Sequence, residues 1–356
     1  MSVFNVYGSP IAKVYNILGD SASTIFDITG NPTNNESWDE LPTEIRSMLD
    51  EAMAYCADYI EENPQAYAFP LITDGHLSFS RKEPAYIEHC YPSIWSRFLF
   101  LGDMAQAYDE TQLNNSVAFM DGASINKIVA MGNHELSNWV EGNPLPEVWY
   151  KTLLVPSSVL WGGGDGLIYY SDDDVNNVRY IVLDSCTPIY KGSGVYLFTK
   201  NQLEWCASVM ESAGGRDIIV CNHVMGTSFY LASDSEKTTS IADSTITNAS
   251  TVLFPMVRAF IEKTTYQVTD DDGVKHTHDF SQASGNFVGY FAGHYHHAGF
   301  TDKNGFNQFT NPTLGSASSK YLQGMSFFIV DRLQRKVVWL VCKYEDATIE
   351  TYEYRY

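Results

Sequence analysis

Apolar positions along the chain recur with two different spacings, and the change comes near Pro64. Before it, Ile45, Met48, Leu49, Ala52, Tyr55, Cys56 and Tyr59 stand mostly three or four residues apart, the spacing that lines one face of a helix against a core. Ser37 or Asp39 could cap this helix, which is predicted to run to about Glu62. Beyond Pro64, short continuous apolar runs take over. Ala68–Thr73, Arg97–Leu101, Lys127–Met131, Tyr180–Asp184, Asp217–Cys221 and Phe287–Ala292 read as buried strands. Leu113–Met120, Lys200–Ser212 and Ser250–Lys263 read as helices between them. From Gly324 to Tyr356 the pattern is that of antiparallel strands, with turns near Arg332–Arg335 and Glu345–Asp346. Strands alternating with helices predict an α/β layered sandwich with mixed sheets.

The N-terminal residues follow a different rule. Phe4-Asn5-Val6-Tyr7-Gly8, Tyr15-Asn16-Ile17-Leu18-Gly19 and Phe26-Asp27-Ile28-Thr29-Gly30 repeat an aromatic, an apolar residue and a closing glycine every eleven residues. Short stacked β-turn units are expected there, too few to stand alone and so packed on the main domain, on a second copy or on a partner chain. The polar stretch 31–37 suits a linker. The expected organisation is therefore an arm at 1–36 and one large domain at 37–356.

Composition narrows the function classes. A 44% apolar and 14% aromatic chain buries a substantial core. The net charge of −21 repels free nucleic acid at long range, so no such partner is expected. It does not exclude phosphate substrates, because bound cations reverse the sign locally. There is no apolar run long enough to span a membrane and no charged n-region leading into an apolar stretch. A cytoplasmic protein, or part of a phage or prophage particle, is the expectation. Cys56, Cys90, Cys186, Cys206, Cys221 and Cys342 are scattered without a CxxC pair and are expected as reduced, buried thiols.

Five short polar motifs end the apolar runs. They are Asp74-Gly75-His76, Gly102-Asp103, Gly132-Asn133-His134-Glu135, Asn222-His223 and Gly293-His294-Tyr295-His296. Ligands just past the carboxyl ends of strands are where open α/β sheets build sites. Glycines beside them let the backbone turn sharply and approach an ion. Each motif alone is common, but the ordered set offers oxygen and nitrogen donors that suit Mn, Fe or Zn.

In this order the motifs resemble the calcineurin-like metallophosphoesterase family, over roughly Leu71 to Ala298; only Asp74 and His76 of the first block are clear. The resemblance implies a four-layer sandwich of two mixed β-sheets flanked by helices. It also implies two divalent metal ions, with Asp74, His76 and His296 on the first, Asn133, His223 and His294 on the second, and Asp103 bridging both. His134 would be no ligand but would sit beside the phosphate and stabilise charge or protonate the leaving oxygen. Physical chemistry agrees: a carboxylate has two oxygens to share, paired cations clamp an in-line displacement and generate a hydroxide nucleophile near neutral pH, and histidine side chains titrate in that range. The expected activity is hydrolysis of a phosphomonoester or phosphodiester on a dinuclear centre. The alternative is a structural or receptor-contact component of a phage tail or similar assembly, attached through the N-terminal arm.

Other motifs carry less. Gly19-Asp20-Ser21-Ala22-Ser23 resembles the serine block of SGNH-type esterases but lacks a downstream D-x-x-H partner. Lys275-His276-Thr277-His278 follows Asp270-Asp271-Asp272-Gly273 and reads better as a solvated hairpin than as a metal-binding pair. Asp172-Asp173-Asp174 reads as a solvated loop without calcium-loop spacing. The stretch Val224 to Ser250, with Tyr230, is a candidate lid beside His223. Trp139, Trp149 and Trp161 could rim a pocket, and His297 could line it or face solvent.

Overall fold

The computed structural model describes residues 42–76, 95–106, 112–113, 116, 120, 126–135, 163–164, 168–186, 197–238, 240–241, 246, 248–315 and 322–356. The repeat at 1–36, the linker, Ser37, Asp39, Cys90, Trp139, Trp149 and Trp161 lie outside them; the first helix begins at Thr43 with Pro42 at its N-cap and no side-chain cap, so neither Ser37 nor Asp39 caps it. In chain order the elements are α1 (Thr43–Glu62), β1 (Ala66–Ile72), β2 (Phe98–Leu101), β3 (Lys127–Ala130), β4 (Gly163–Gly164), β5 (Tyr169–Asp173), β6 (Val178–Val182), α2 (Lys200–Glu211), β7 (Asp217–Cys221), β8 (Phe229–Leu231) and β9 (Ser240–Ile241). There follow α3 (Leu253–Glu262), β10 (Thr265–Thr269), β11 (Lys275–Asp279), β12 (Phe287–Ala292), β13 (Gly299–Thr301), β14 (Gln308–Thr310), β15 (Gly324–Asp331), β16 (Lys336–Lys343) and β17 (Thr348–Arg355).

Two mixed sheets result. The first has the order β17-β16-β15-β1-β2-β3 and the second β4-β5-β6-β7-β12-β14-β13-β8-β9. In the first, β1, β2 and β3 run parallel while β15, β16 and β17 form an antiparallel meander on the other flank of β1. In the second, β6, β7, β12 and β14 run parallel. Pro70 lies inside β1 without breaking it, because β2 pairs only with Leu71 and Ile72 beyond it.

The sheets face each other through aromatic rings. Phe328 of β15 packs edge-on against Phe291 of β12 at 4.9 Å and Phe309 of β14 at 5.4 Å, and stacks on Trp339 of β16 at 5.4 Å. Phe69 of β1 meets Phe291 at 5.6 Å and Tyr180 of β6 at 6.1 Å. Each offset or edge pair adds to the area it buries. Helix α1 lies on the first sheet, burying Ile45, Met48, Leu49, Ala52 and Cys56, while α2 and α3 pack on the β10–β11 hairpin and α3 on β12 of the second sheet. Helices thus flank two mixed sheets, the layered α/β sandwich that the alternating pattern predicts.

The strands predicted at Asp217–Cys221 and Phe287–Ala292 and the C-terminal meander stand where expected. Others shift. Strand β6 begins and ends two residues before the predicted Tyr180–Asp184, and α3 starts at Leu253 rather than Ser250. Tyr55 is 41% exposed, so the helical stripe is narrower than its spacing suggested. Within the predicted helix at 113–120, the described Leu113, Ser116 and Met120 are helical and buried. Asp172 and Asp173 are not loop residues but belong to β5. The Arg179 guanidinium grips Asp172 through Nε–Oδ1 at 2.7 Å and Nη2–Oδ2 at 2.8 Å, and buried Asp173 accepts from the Val175 and Asn176 amides and from Ser96. The cross-strand Arg179, the amides of the following turn and the distant Ser96 let those carboxylates enter a strand. The candidate lid also builds sheet: β8 pairs with β13 and β9 with β8, so its described part extends the second sheet. Five cysteines among the described residues are free and buried, as expected.

Phe328→Ala removes a ring that touches both sheets. It should cost about 3–5 kcal/mol of stability, read from chemical denaturation.

Candidate metal centre

The carboxyl ends of parallel strands from both sheets meet at one edge of the sandwich. Asp74 and His76 follow β1, Asp103 follows β2, Asn133 and His134 follow β3, His223 follows β7, and His294 and His296 follow β12. Each loop leaves its strand abruptly. Asp74, His76, Asp103, His294 and His296 all have φ between 44° and 73°, the left-handed region that side chains disfavour. Such strain, on the order of 1–3 kcal/mol per residue, clusters where function demands a particular side-chain direction. Glycines provide the remaining room. A Cβ on Gly132 would lie 2.1 Å from Asp103 Oδ1, and one on Gly293 would lie 1.9 Å from Thr73 Oγ1.

The donor atoms converge. Ligand atoms of Asp74, His76 and His296 lie within 4.8 Å of one another, as do those of Asp103, His223 and His294, and those of His76, Asp103 and His134. His296 Nε2 is 3.1 Å from Asp74 Oδ1, and His223 Nε2 is 3.1 Å from Asp103 Oδ2. These are separations of neighbouring ligands around one ion, given metal–ligand distances of about 2.0–2.2 Å. Neither Asp74 Oδ1 nor His223 Nε2 makes an aligned hydrogen bond, although both are buried. The Nε2 atoms of His76 and His296 stand 3.0 Å apart. The half-buried Asn133 has its Oδ1 buried without a hydrogen bond. Orphaned donors aimed at common space suit cations that bond several of them at once, so the residues fit a metal pair.

The atoms facing away from that space are held. His223 Nδ1 donates to Leu101 O at 2.7 Å, which leaves Nε2 to face Asp103. Asp74 Oδ2 accepts from Thr73 Oγ1 at 2.7 Å and from the His294 amide at 2.9 Å. Asp103 Oδ1 accepts from the His134 amide at 2.7 Å. Buried Glu135 spans two loops: its carboxylate accepts from the Asp103, Ala105 and Gly132 amides at 2.9, 2.8 and 2.7 Å. Thr313 Oγ1 donates to Asp74 O at 2.6 Å, and Leu314 N to Thr73 O at 2.9 Å, so the segment after β14 braces the β1 loop.

Charges follow from this packing. Burial resists ionising Asp103, but the His223, His134 and His76 rings hold its carboxyl well below the usual range. Burial also resists charge on Asp74, outweighed by His296 and His223. Burial lowers His76 and His294 to about 4, which keeps them in the neutral form that binds metal. Burial opposes charge on His223 as well, yet the adjoining Asp103 and then Asp74 raise it to about 10. Without a metal, His223 supplies the cation the aspartates require. Burial, then Asp103, pushes Glu135 up to about 7.

Asp74, His76, Asp103, His223, His294 and His296, drawn from four separate motifs, are thus brought together. His134 sits at the rim: its Nδ1 donates to Gln106 O at 2.7 Å, its Nε2 is 4.0 Å from Asp103 Oδ2, and its side chain is 32% exposed. His297 is half-buried just past the last motif. Glu135 closes the Gly132–Glu135 motif, but its bracing role, like those of Thr73 and Thr313, was not expected from the sequence. Thr73 directly precedes Asp74, but nothing local marks Thr313.

No protein-family model matches the chain, and no curated protein matches it. Among solved structures, vacuolar protein sorting 29 from Cryptosporidium parvum is similar at 11% identity and a TM-score of 0.36, over 82% of this chain and 99% of that one. A putative 5'-nucleotidase from Staphylococcus aureus aligns at 15% identity and a TM-score of 0.41, over 81% of this chain and 53% of that one. Phosphopantetheinyl hydrolase from Mycobacterium tuberculosis aligns at 13% identity and a TM-score of 0.35, over 70% of this chain and 90% of that one. Likeness at this level carries no weight beside the topology and donor geometry above.

Because His223 is protonated at neutral pH until a cation replaces that proton, metal uptake should release about one proton per chain and tighten by about tenfold per pH unit below pH 10. Calorimetry in buffers of different ionisation enthalpy reads this directly. Glu135→Gln offers one acceptor oxygen in place of two and sets a donor against an amide. Metal affinity should fall by about 10–100-fold while circular dichroism stays that of the wild type.

Proposed function

We propose that the chain is a metal-dependent hydrolase of phosphate esters, working through a dinuclear centre of the calcineurin-like metallophosphoesterase kind. The observation that carries this reading is the convergence of Asp74, His76, Asp103, His223, His294 and His296, donors from both sheets, on one buried edge, with His223 Nε2 and Asp103 Oδ2, and His296 Nε2 and Asp74 Oδ1, only 3.1 Å apart. Asp74, His76 and His296 would hold one ion, Asn133, His223 and His294 the other, and Asp103 both. A cation pair there, Mn, Fe or Zn, supplies Lewis acidity to a phosphate oxygen and lowers the pKa of water.

The protein's own groups do the rest. The left-handed backbone at Asp74, Asp103 and His294 fixes the donors before substrate arrives, so little reorganisation remains for the reaction. Thr73 and the His294 amide hold one oxygen of Asp74, which leaves the other facing the donors. His134 is oriented through Gln106 O, with Nε2 4.0 Å from Asp103 Oδ2 and its own side chain partly exposed, and gives a proton to the leaving oxygen. With a net charge of −21, the chain needs such a local cation centre to receive a phosphate at all. A small phosphomonoester or phosphodiester fits this charge balance better than free nucleic acid.

The alternative role, a structural or receptor-contact component of a phage tail or similar assembly, draws on residues 1–36 and gains no support from the described residues. No helix among the described residues is long and apolar enough to cross a membrane.

Asp103→Asn should abolish both metal binding and hydrolysis of chromogenic phosphate esters. His134→Ala should keep the metal and lower kcat by about 10²–10⁴-fold. A His134→Ala protein that loses its metal, or an Asp103→Asn protein of full activity, would refute these roles.

A further inference from the structure

At the edge opposite the strand-end centre the two sheets leave a cleft between them. Its walls are the end of α3, the starts of β12 and β14, the β15–β16 turn and the end of β17. Strand β12 opens at the cleft with Phe287 and finishes at Ala292 beside His294, so roughly 20 Å of strand separates the two places at about 3.3 Å per residue. The cleft encloses about 480 Å³, and small-molecule sites span roughly 300–1,000 Å³.

Its charge runs against that of the chain. Lys263, Arg335 and Arg355 line it, in a protein of net charge −21. Elsewhere Arg332, Lys336 and Lys343 pair with Asp217, Glu353 and Glu350, but no carboxylate among the described residues pairs with the three cations of the cleft. The acids at hand are occupied: Lys237 holds Asp302 at 3.0 Å, and Arg332 and Asn286 share Asp217. Lys263 Nζ donates to the Gly285 carbonyl at 2.6 Å and lies 4.2 Å from the Phe260 ring centre, which leaves two ammonium protons for a ligand. Burial, and then the Arg335 guanidinium, lower Lys263, as expected where two cations share a space. Two of the three stand on left-handed backbone, where glycine or asparagine is the usual occupant. Lys263 ends α3 at φ 57° and ψ 43°, and Arg335 lies at φ 51° in the β15–β16 turn.

We propose that Lys263, Arg335 and Arg355 form a binding site for the phosphate group of a small phosphorylated compound, whose apolar part lies against Ile261, Phe287 and Phe306. Three positive charges suit a phosphate dianion better than a single carboxylate. A guanidinium plane meets two phosphate oxygens at once, and the Lys263 ammonium adds a point charge. Phe287 and Phe306, buried and packed edge-on at 5.2 Å, give the cleft an apolar floor. The site needs no metal and stands apart from the proposed hydrolysis.

The test is calorimetric titration of the full-length chain with phenyl phosphate in the presence of chelator, so that no cation at the strand ends contributes. The wild type should bind one equivalent, and more tightly than it binds inorganic phosphate. Arg335→Asn and Arg355→Gln should each weaken phenyl phosphate by at least about tenfold, the effect of losing a charged hydrogen bond. Lys200→Gln, at an exposed cation outside the cleft, should not. Asparagine tolerates the left-handed turn, so Arg335→Asn should unfold no earlier than the wild type, and its weaker binding then reports the lost guanidinium rather than a disturbed turn. No saturable binding, or equal affinity in the wild type and both arginine variants, overturns the proposal. Inorganic phosphate bound as tightly as the ester overturns its organic part and leaves a site for free phosphate. The readout is binding without metal, so a chain that binds phenyl phosphate in this way and hydrolyses no ester would count against the strand-end chemistry and leave this inference standing.

Discussion

Two carboxylates, Asp74 and Asp103, are buried within reach of each other's histidines, and the chain must neutralise them. A buried charge without a partner costs several kcal/mol, so the surrounding structure is arranged around that demand. The left-handed turns, the glycines with no room for a Cβ and the amides aimed at the spare carboxylate oxygens all hold two anions close together. An acidic chain could not keep that arrangement through surface charge. It needs imidazolium or metal cations inside the cluster.

The sandwich makes this geometry possible. Asp74, His76, Asp103 and His134 come from the first sheet, and His223, His294 and His296 from the second. Their meeting depends on how the two sheets are stacked, and the aromatic contacts of Phe69, Phe328, Phe291 and Phe309 set that stacking. Core packing and candidate chemistry are therefore linked: a sheet displaced by an ångström would separate donors now about 3 Å apart. The segment after β14 adds a local brace through Thr313 and Leu314.

Two clusters of histidine and carboxylate thus occupy different structural roles. At the strand ends the backbone is strained and the aspartates are fully enclosed, a setting that holds several donors on one space. Between β11 and α2 the backbone is regular, and His276 and His278 are tied by ion pairs to Asp270, Glu204 and Glu211.

Much was legible in the chain itself. Continuous apolar runs marked β7 and β12 because strands buried on both faces need no polar alternation, and each polar motif at a run's end marked a candidate ligand loop. Strand β6 slipped by two residues because Leu183 and Asp184 look as strand-like as Val178, and only pairing with β7 decides between them. Asp172 and Asp173 looked like loop residues because three consecutive carboxylates suit a turn, whereas strand pairing sets Asp172 against Arg179 and a residue 77 positions away, Ser96, meets Asp173; such cross-chain meetings leave no local mark. For the same reason Thr313 as a brace and Glu204 as the shared partner of His276 and His278 carry no local signal. Local apolar runs were enough to show which residues could bind and on which strand ends they sit. Which of them share a space came from the stacking of the two sheets, because a hydrogen bond or ligand contact acts over about 3 Å and is blind to sequence separation.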